Sequence, residues 1–189
     1  MRKLVVTELV SLDGVMEGPG PDDSFKFAGW TMTYRSADTM KIKLDELMAS
    51  DILLLGKTTY EGFAKAWPGQ TDEMGFGDKM NSMPKYVVSD NLKSAAWNNT
   101  EIITSADLVG RLKKLKQEDG GDILVYGSSL LVESLSQNNL VDTYRLLVFP
   151  VILGSGKHLF NEGNKIELQL VKSQSFDAGV VLLEYSTSS

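Results

Sequence analysis

The stretch DILLLGKTTYEGF, residues 51–63, decides how the chain is read. Ile52–Leu55 is a continuous apolar run of strand length, the pattern of a strand covered on both faces. Gly56 interrupts it, and Thr58–Ala66 then takes on helical character, with Thr58 and Glu61 at capping-box spacing. Later the same order returns: Ile123–Tyr126 as a strand, Gly127, then a helix opened by Ser128 or Ser129. A helix start at the carboxyl end of a strand offers unpaired N–H groups and partial positive charge, which suit an anion. Each junction taken alone also has a plain structural reading as a turn and helix cap. A triphosphate loop is excluded, because the first glycine of that motif would fall on Asp51, followed by four large apolar residues, or on Val151 in VILGSGKHLF.

Outward from this unit the chain alternates. Leu4–Val10 reads as a strand and Ser11–Asp23 as a loop rich in Gly, Pro and acids. Ser36 caps a helix with Met40, Leu44, Leu47 and Met48 on its apolar stripe. Asp45 and Glu46 read as its solvated face. Trp67–Met83 is expected to be a surface loop, with Met74–Met83 either a lid or a plain connection. Tyr86–Val88 and Glu101–Ile103 are short strands, and Ser105 caps a helix striped by Leu108, Leu112 and Leu115. Val141–Phe149 and Leu168–Phe176 are strands, and Asp177-Ala178-Gly179 is a hairpin loop into Val180–Tyr185. The order predicts one α/β domain over residues 1–189, a three-layer sandwich. Its sheet is mixed but mostly parallel, with an antiparallel C-terminal hairpin.

Composition narrows the function. The net charge is −6 and the pI near 4.9, which argues against a broad nucleic-acid footprint, so any anionic ligand must be held locally. The absence of cysteine excludes thiolate catalysis, disulfides and cysteine metal sites, and His158 is the only histidine. No apolar stretch has the length of a membrane span, and Glu8 interrupts the apolar N-terminal run MRKLVVTELVSLDG, so a cytoplasmic protein is expected. Trp30, Trp67 and Trp97 read as core or loop anchors rather than a base-stacking platform.

LLLGKTTYEGF, KYVVSDNL and DILVYGSSLLVESL, in that order, resemble the cofactor-binding elements of dihydrofolate reductases. VTELVSLDGV near the start and LVFPVILGSGKHLF near the end are more similar to one branch. That branch holds the C-terminal reductase domain of the bifunctional riboflavin-biosynthesis enzyme and its stand-alone bacterial relatives. The resemblance runs from about residue 2 to 186. It implies a dihydrofolate-reductase-like fold, a nicotinamide cofactor (NADPH, with NADH possible), and hydride transfer to a small pterin-, pyrimidine- or riboflavin-precursor-like substrate. It also implies a homodimer, with Val141–Phe149 or the C-terminal hairpin as the available edge, and no metal.

By position, the resemblance places Gly56, Lys57, Thr58 and Thr59 at the cofactor phosphates and Ser89 beside the adenosine ribose. Gly127, Ser128, Ser129 and Leu130 fall at the pyrophosphate, and Ser11, Asp13 and Gly14 at the nicotinamide end, with Asp13 and Ser11 the candidate catalytic residues. Two positions depart from the pattern. Ser128 stands where the reductases commonly have a second glycine, and Asp90 where relatives often carry arginine. These departures keep an alternative open, a nucleotide-binding module of the same fold without turnover. His158 is expected to be structural.

Overall fold

The computed structural model describes residues 1–21, 24–161 and 165–187, so Asp22 and Asp23, the end of the expected N-terminal loop, lie outside the described residues. The elements in chain order are β1 (Leu4–Ser11), α1 (Ala37–Met48), β2 (Ser50–Gly56), α2 (Lys57–Ala66), α3 (Phe76–Ser82), β3 (Lys85–Val88), β4 (Thr100–Ile103), α4 (Leu108–Gln117), β5 (Asp122–Tyr126), α5 (Ser129–Gln137), β6 (Thr143–Phe149), β7 (Leu168–Ser175) and β8 (Val181–Thr187). The strands form one 8-stranded sheet in the order β4-β3-β2-β5-β1-β6-β8-β7. The first six strands run parallel, while β8 pairs antiparallel with both β6 and β7.

Alternation along the strands builds the layers. On one face Leu4, Val6, Ile123 and Val125 pack against Leu108, Leu112 and Leu115 of α4 and Leu131 and Leu135 of α5. On the other, Val5, Leu53, Leu55 and Leu124 pack against Leu47 of α1, Tyr60 of α2 and Met80 of α3. Leu53, Leu54 and Leu55 are all 0% exposed, which explains the unbroken apolar run: β2 is covered from both sides. Burying each such side chain contributes about 1.5–3 kcal/mol. Trp30, Phe149, Phe176 and Leu182 form a third cluster beneath the loop after β1, with the Trp30 ring edge-on to Phe149. Gly179 takes the left-handed conformation in the β7–β8 turn, φ 78°, as the hairpin reading required.

Several local expectations are corrected. The segment after Trp67 is not a plain loop, because Phe76–Ser82 is helical. The Asp72 carboxylate accepts from the N–H groups of Met74, Phe76 and Gly77, so an acid upstream of the helix does the work of a cap. α2 begins at Lys57 with Gly56 as its N-cap and no side-chain cap, so Thr58 is inside the helix and the Thr58–Glu61 capping box does not form. Ser36 does cap α1, but through a reciprocal box with Thr39. Its stripe is narrower than expected, since Leu47 is fully buried while Met40 and Met48 are exposed. Asp107 is the N-cap residue of α4, and Ser105 instead donates from its N–H and hydroxyl to Asp90, at 2.8 and 2.7 Å. β6 lies inside the sheet between β1 and β8, so the free edges belong to β4 and β7. No helix among the described residues is long and apolar enough to cross a membrane.

Candidate functional site

The carboxyl ends of β2 and β5, neighbours in the sheet, bring the two strand–glycine–helix junctions together. Gly56 is the N-cap residue of α2 and Ser128 that of α5, and neither helix has a side-chain cap. The first N–H groups of both helices therefore have no capping partner, and their dipoles point to the same end of the sheet. The contact between them is close. A Cβ built on Gly56 would lie 2.0 Å from Ser128 Oγ, and one on Gly127 would lie 2.5 Å from Thr59 Oγ1. Both glycines are thus required for one helix start to nest against the other. Gly127 and Ser128 are both left-handed, φ 63° and 65°, and this bend turns the N-terminus of α5 toward α2. Lys57 is partly exposed beside this junction, 3.9 Å from Glu61.

A cavity of about 610 Å³ adjoins this end of the sheet. Its walls are mostly apolar: Met32 and Met40 on the α1 side, Phe63 and Trp67 from α2, Met74, Phe76 and Met80 from the α3 region, and Leu147 and Phe149 from β6. Thr7, Glu8, Lys43 and Tyr126 supply a polar floor, with Arg35 and Asp72 also on the lining. Few polar groups on a largely apolar concavity is the usual composition of a small-molecule site.

Thr7, Lys43 and Tyr126 of the floor join a buried charge network behind it. Glu46, 3% exposed, has Thr7 Oγ1 2.9 Å from each of its carboxylate oxygens and accepts from Tyr126 OH at 3.3 Å. Lys43 pairs with Glu46, donates to Thr7 Oγ1 at 2.8 Å, and lies 4.4 Å from the Tyr126 ring centroid. Arg145 lies 3.7 Å from Glu46 and bonds Glu184 at 2.9 Å. Burial, and after it the neighbouring Glu46 carboxylate, push the Tyr126 phenol well above its usual range, so Tyr126 remains a donor. Glu8 stands apart. It follows the last β1–β5 register pair, Thr7 with Tyr126, so its carboxyl meets the backbone amide of Gly127. Burial pushes it from 4.5 up to about 8, against the opposing pull of Lys43 and Gly127.

Residues 2–182 match the family model of the RibD C-terminal domain. This chain belongs to that family. It is 28% identical over 188 residues to the uncharacterized protein YyaP of Bacillus subtilis, covering 97% of this chain and 94% of the other. Among solved structures it is similar to a Shewanella sp. PV-4 protein provisionally named as a riboflavin biosynthesis protein, with TM-score 0.74, 17% identity and 99% of each chain covered. It is also similar to dihydrofolate reductase from Enterococcus faecalis, solved with NADP(H), with TM-score 0.66 and 14% identity over 99% of this chain and 97% of that one. These likenesses show a dihydrofolate-reductase-like fold, the three-layer α/β sandwich expected from the sequence.

In this member of the RibD C-terminal family, the residues expected at a cofactor fall into three groups. Gly56, Lys57, Thr58, Thr59, Gly127, Ser128, Ser129 and Leu130 are brought together at the paired helix starts, with Leu130 77% exposed. Ser89, at the end of β3, is buried and its hydroxyl accepts from the N–H groups of Asn91 and Leu92. Asp90 beside it is held by Ser105. Ser11, Asp13 and Gly14 form a tight turn after β1, with Gly14 left-handed at φ 81°. The Ser11 hydroxyl donates to Asp13 at 2.6 Å and accepts from the Val15 N–H at 2.9 Å. Asp13 also accepts from the N–H groups of Leu153 and Gly154, at 3.1 and 2.8 Å, tying this turn to the chain after β6. The Ser11 hydroxyl and these amides hold the Asp13 carboxyl down from 3.8 to about 2. Neither Ser11 nor Asp13 lies on the cavity lining. His158 is exposed and pairs with Val15 across the same loops.

Asp38 and Asp45 are exposed, and Asp45 pairs with Lys41. Glu46, expected on the solvated face, is instead the buried acid, because the end of α1 packs down on β1 and β5 at that position. Glu8 and Arg145 did carry a signal in the sequence: each is a charge inside an apolar strand run. That signal marks a buried polar partner without saying which one.

Proposed function

We propose that the protein is an NAD(P)H-dependent reductase acting on a small pterin-, pyrimidine- or riboflavin-precursor-like heterocycle. The observation that carries this reading is the meeting of two uncapped helix N-termini beside a largely apolar cavity with an acidic floor. A dinucleotide diphosphate needs several N–H donors and a positive dipole, and α2 and α5 offer both side by side. The residues fit such a group, since the glycines keep the turn narrow and Lys57 adds a mobile charge at its rim. The cofactor would supply the hydride, and the protein positions and polarises. Membership of the RibD C-terminal family and the likeness to a reductase solved with NADP(H) support the same reading.

In this proposal Gly56, Lys57, Thr58, Thr59 and Gly127 to Leu130 hold the diphosphate, and Ser89 flanks the adenosine. Ser11, Asp13 and Gly14 set the loop at the nicotinamide end. NADPH is the preferred cofactor; Asp90, an acid beside Ser89, is the feature that would favour NADH by repelling a 2′-phosphate. The proposal includes a cytoplasmic homodimer, with the open edge of β7 as its contact, where Leu170 and Val171 are 57% and 60% exposed. Light scattering of Leu170→Lys would show a monomer if that contact holds the dimer.

The test is a parallel titration with NADPH and NADH followed by tryptophan quenching, which Trp67 on the cavity wall should report. Micromolar NADPH affinity, weakened at least tenfold by Lys57→Ala, is the expected result. No binding of either nucleotide by folded protein would overturn the reading. Binding without oxidation by any of a panel of dihydropterins and aminopyrimidines would favour the nucleotide-binding module, consistent with the Ser128 side chain filling the space over Gly56.

A further inference from the structure

Among the described residues, four buried side-chain polar atoms lack a hydrogen-bond partner: Arg2 Nε, Glu8 Oε1, Arg111 Nε and Ser155 Oγ. Only Glu8 belongs to the lining of the large cavity. A buried carboxyl oxygen left without a donor is costly, so such an atom in a native fold asks for an explanation. Its place offers one. Glu8 is 6% exposed, follows the last β1–β5 register pair, and meets the Gly127 amide at the turn into α5. It therefore stands where the cavity and the paired helix starts join.

We propose that Glu8 is a catalytic acid, which donates a proton from its carboxyl to a heteroatom of the heterocycle bound in the cavity. The inference rests on the reductase reading above, in which a reduced nicotinamide supplies the hydride. As the hydride reaches the carbon of a ring C=N or C=O, the π pair moves onto the heteroatom. The Glu8 O–H bond then breaks while the new N–H or O–H bond forms. The resulting carboxylate is met by the Gly127 N–H and the Lys43 ammonium, and water returns the proton once product has left. The two buried acids differ in their partners. Lys43 and Glu46 on α1, Tyr126 on β5 and Arg145 on β6 form one bonded set. Glu8 lies outside that set: the Gly127 N–H meets its carboxyl but Oε1 has no donor. Burial pushes it up to about 8, which favours the protonated form at pH 7, with Arg35 and Asp72 the other charged groups of the lining.

The test uses the full chain. Carboxyl 13C titration of glutamate-labelled protein, with the Glu8 signal assigned by its loss in Glu8→Gln, should give a midpoint near 8. It should stay above 6 when NADPH is added. A midpoint near 4.5, or loss of the proton on NADPH binding, overturns the proposal while leaving the reductase reading intact. With the best of the dihydropterin and aminopyrimidine panel, Glu8→Gln should lower kcat about 100-fold. NADPH affinity should change less than twofold, and Glu8→Asp should recover part of the rate. Unchanged kcat in Glu8→Gln, or a loss confined to NADPH affinity, would refute a proton-donating role. Failure of the wild type to bind NADPH would remove the reductase reading itself, and the proposal with it.

Discussion

Replacing Gly56 by alanine isolates the contact on which the paired helix starts depend. Gly56 has φ −78° and ψ 160°, which alanine adopts without strain, so the backbone adds no penalty. A less flexible unfolded chain would even favour alanine by about 0.4–1 kcal/mol. Opposing this, the new Cβ would lie 2.0 Å from Ser128 Oγ and 2.7 Å from Ser128 Cβ, far inside contact distance. Rotating the Ser128 hydroxyl away does not relieve this, because its Cβ is fixed by the backbone and still lies 2.7 Å from the new atom. Overpacking of this kind costs about 1–3 kcal/mol, so Gly56→Ala should be net destabilising by about 1–2 kcal/mol. Ser128→Gly removes the colliding atoms and the cost of about 1–2 kcal/mol for a side chain at positive φ, offset by glycine's extra entropy in the unfolded state. Alone it should be nearly neutral. The double variant should therefore return to wild-type stability, with a favourable coupling of about 1–2 kcal/mol. Urea denaturation of the four proteins measures this. A Gly56→Ala midpoint equal to wild type, or effects additive within about 0.5 kcal/mol, would refute the packing argument.

Other outcomes follow from the floor of the cavity and the buried cations. Glu46→Ala leaves Lys43 buried without its carboxylate and Arg145 with Glu184 alone, and should cost about 3–5 kcal/mol in urea unfolding. Lys85, 1% exposed, donates to the carbonyls of Asn81, Met83 and Asn98 and lies 4.4 Å from the Trp97 ring centroid. Lys85→Met should therefore cost about 3 kcal/mol or more, because buried carbonyls lose their donor. Burial also pushes Lys85 down from 10.5 to about 8, so the folded state binds fewer protons and stability attributable to it should rise from pH 8 to 10.5. Glu8 is a carboxyl with a raised value, so the folded state binds the extra proton. Its contribution is complete below pH 4.5 and is lost as pH rises through 8, and Glu8→Gln should flatten that part of the stability profile. Asp13 has the opposite sign: its contribution is present above pH 3.8 and disappears as pH falls through 2, so Asp13→Asn should weaken the acid limb of that loss.

Local chemistry made much of this protein legible from its sequence. A run such as Ile52–Leu55 has no polar face, so it must be covered on both sides, and that alone implies helices above and below a parallel sheet. Gly179 in Asp177-Ala178-Gly179 determined the hairpin, because few other residues occupy its left-handed conformation readily. Gly56 and Gly127 marked the two junctions, and their order with SLDG and GSGK carried the family. Where the reading relied on spacing alone it fell short. Thr58 sits at capping-box distance from Glu61, yet the strand runs on to Gly56 and the helix begins before the threonine. The Trp67–Met83 segment looked like a loop because α3 is short and its cap, Asp72, lies outside it.

The acidic floor belongs to tertiary structure. Nothing in the α1 pattern separates Glu46 from Asp45, since both are acids next to the apolar stripe, but one helical step of 100° sends one to water and the other between β1 and β5. Glu8 is visible as a charge in a strand, while its place on the cavity lining beside the Gly127 amide depends on β5 ending at Tyr126, one residue before it. The periodicity of side chains along single elements is written in the sequence, and it determined the layers, the hairpin and the two glycine junctions. Which charges share a cavity is set by distances between elements far apart in the chain, and only the packed sheet decided that.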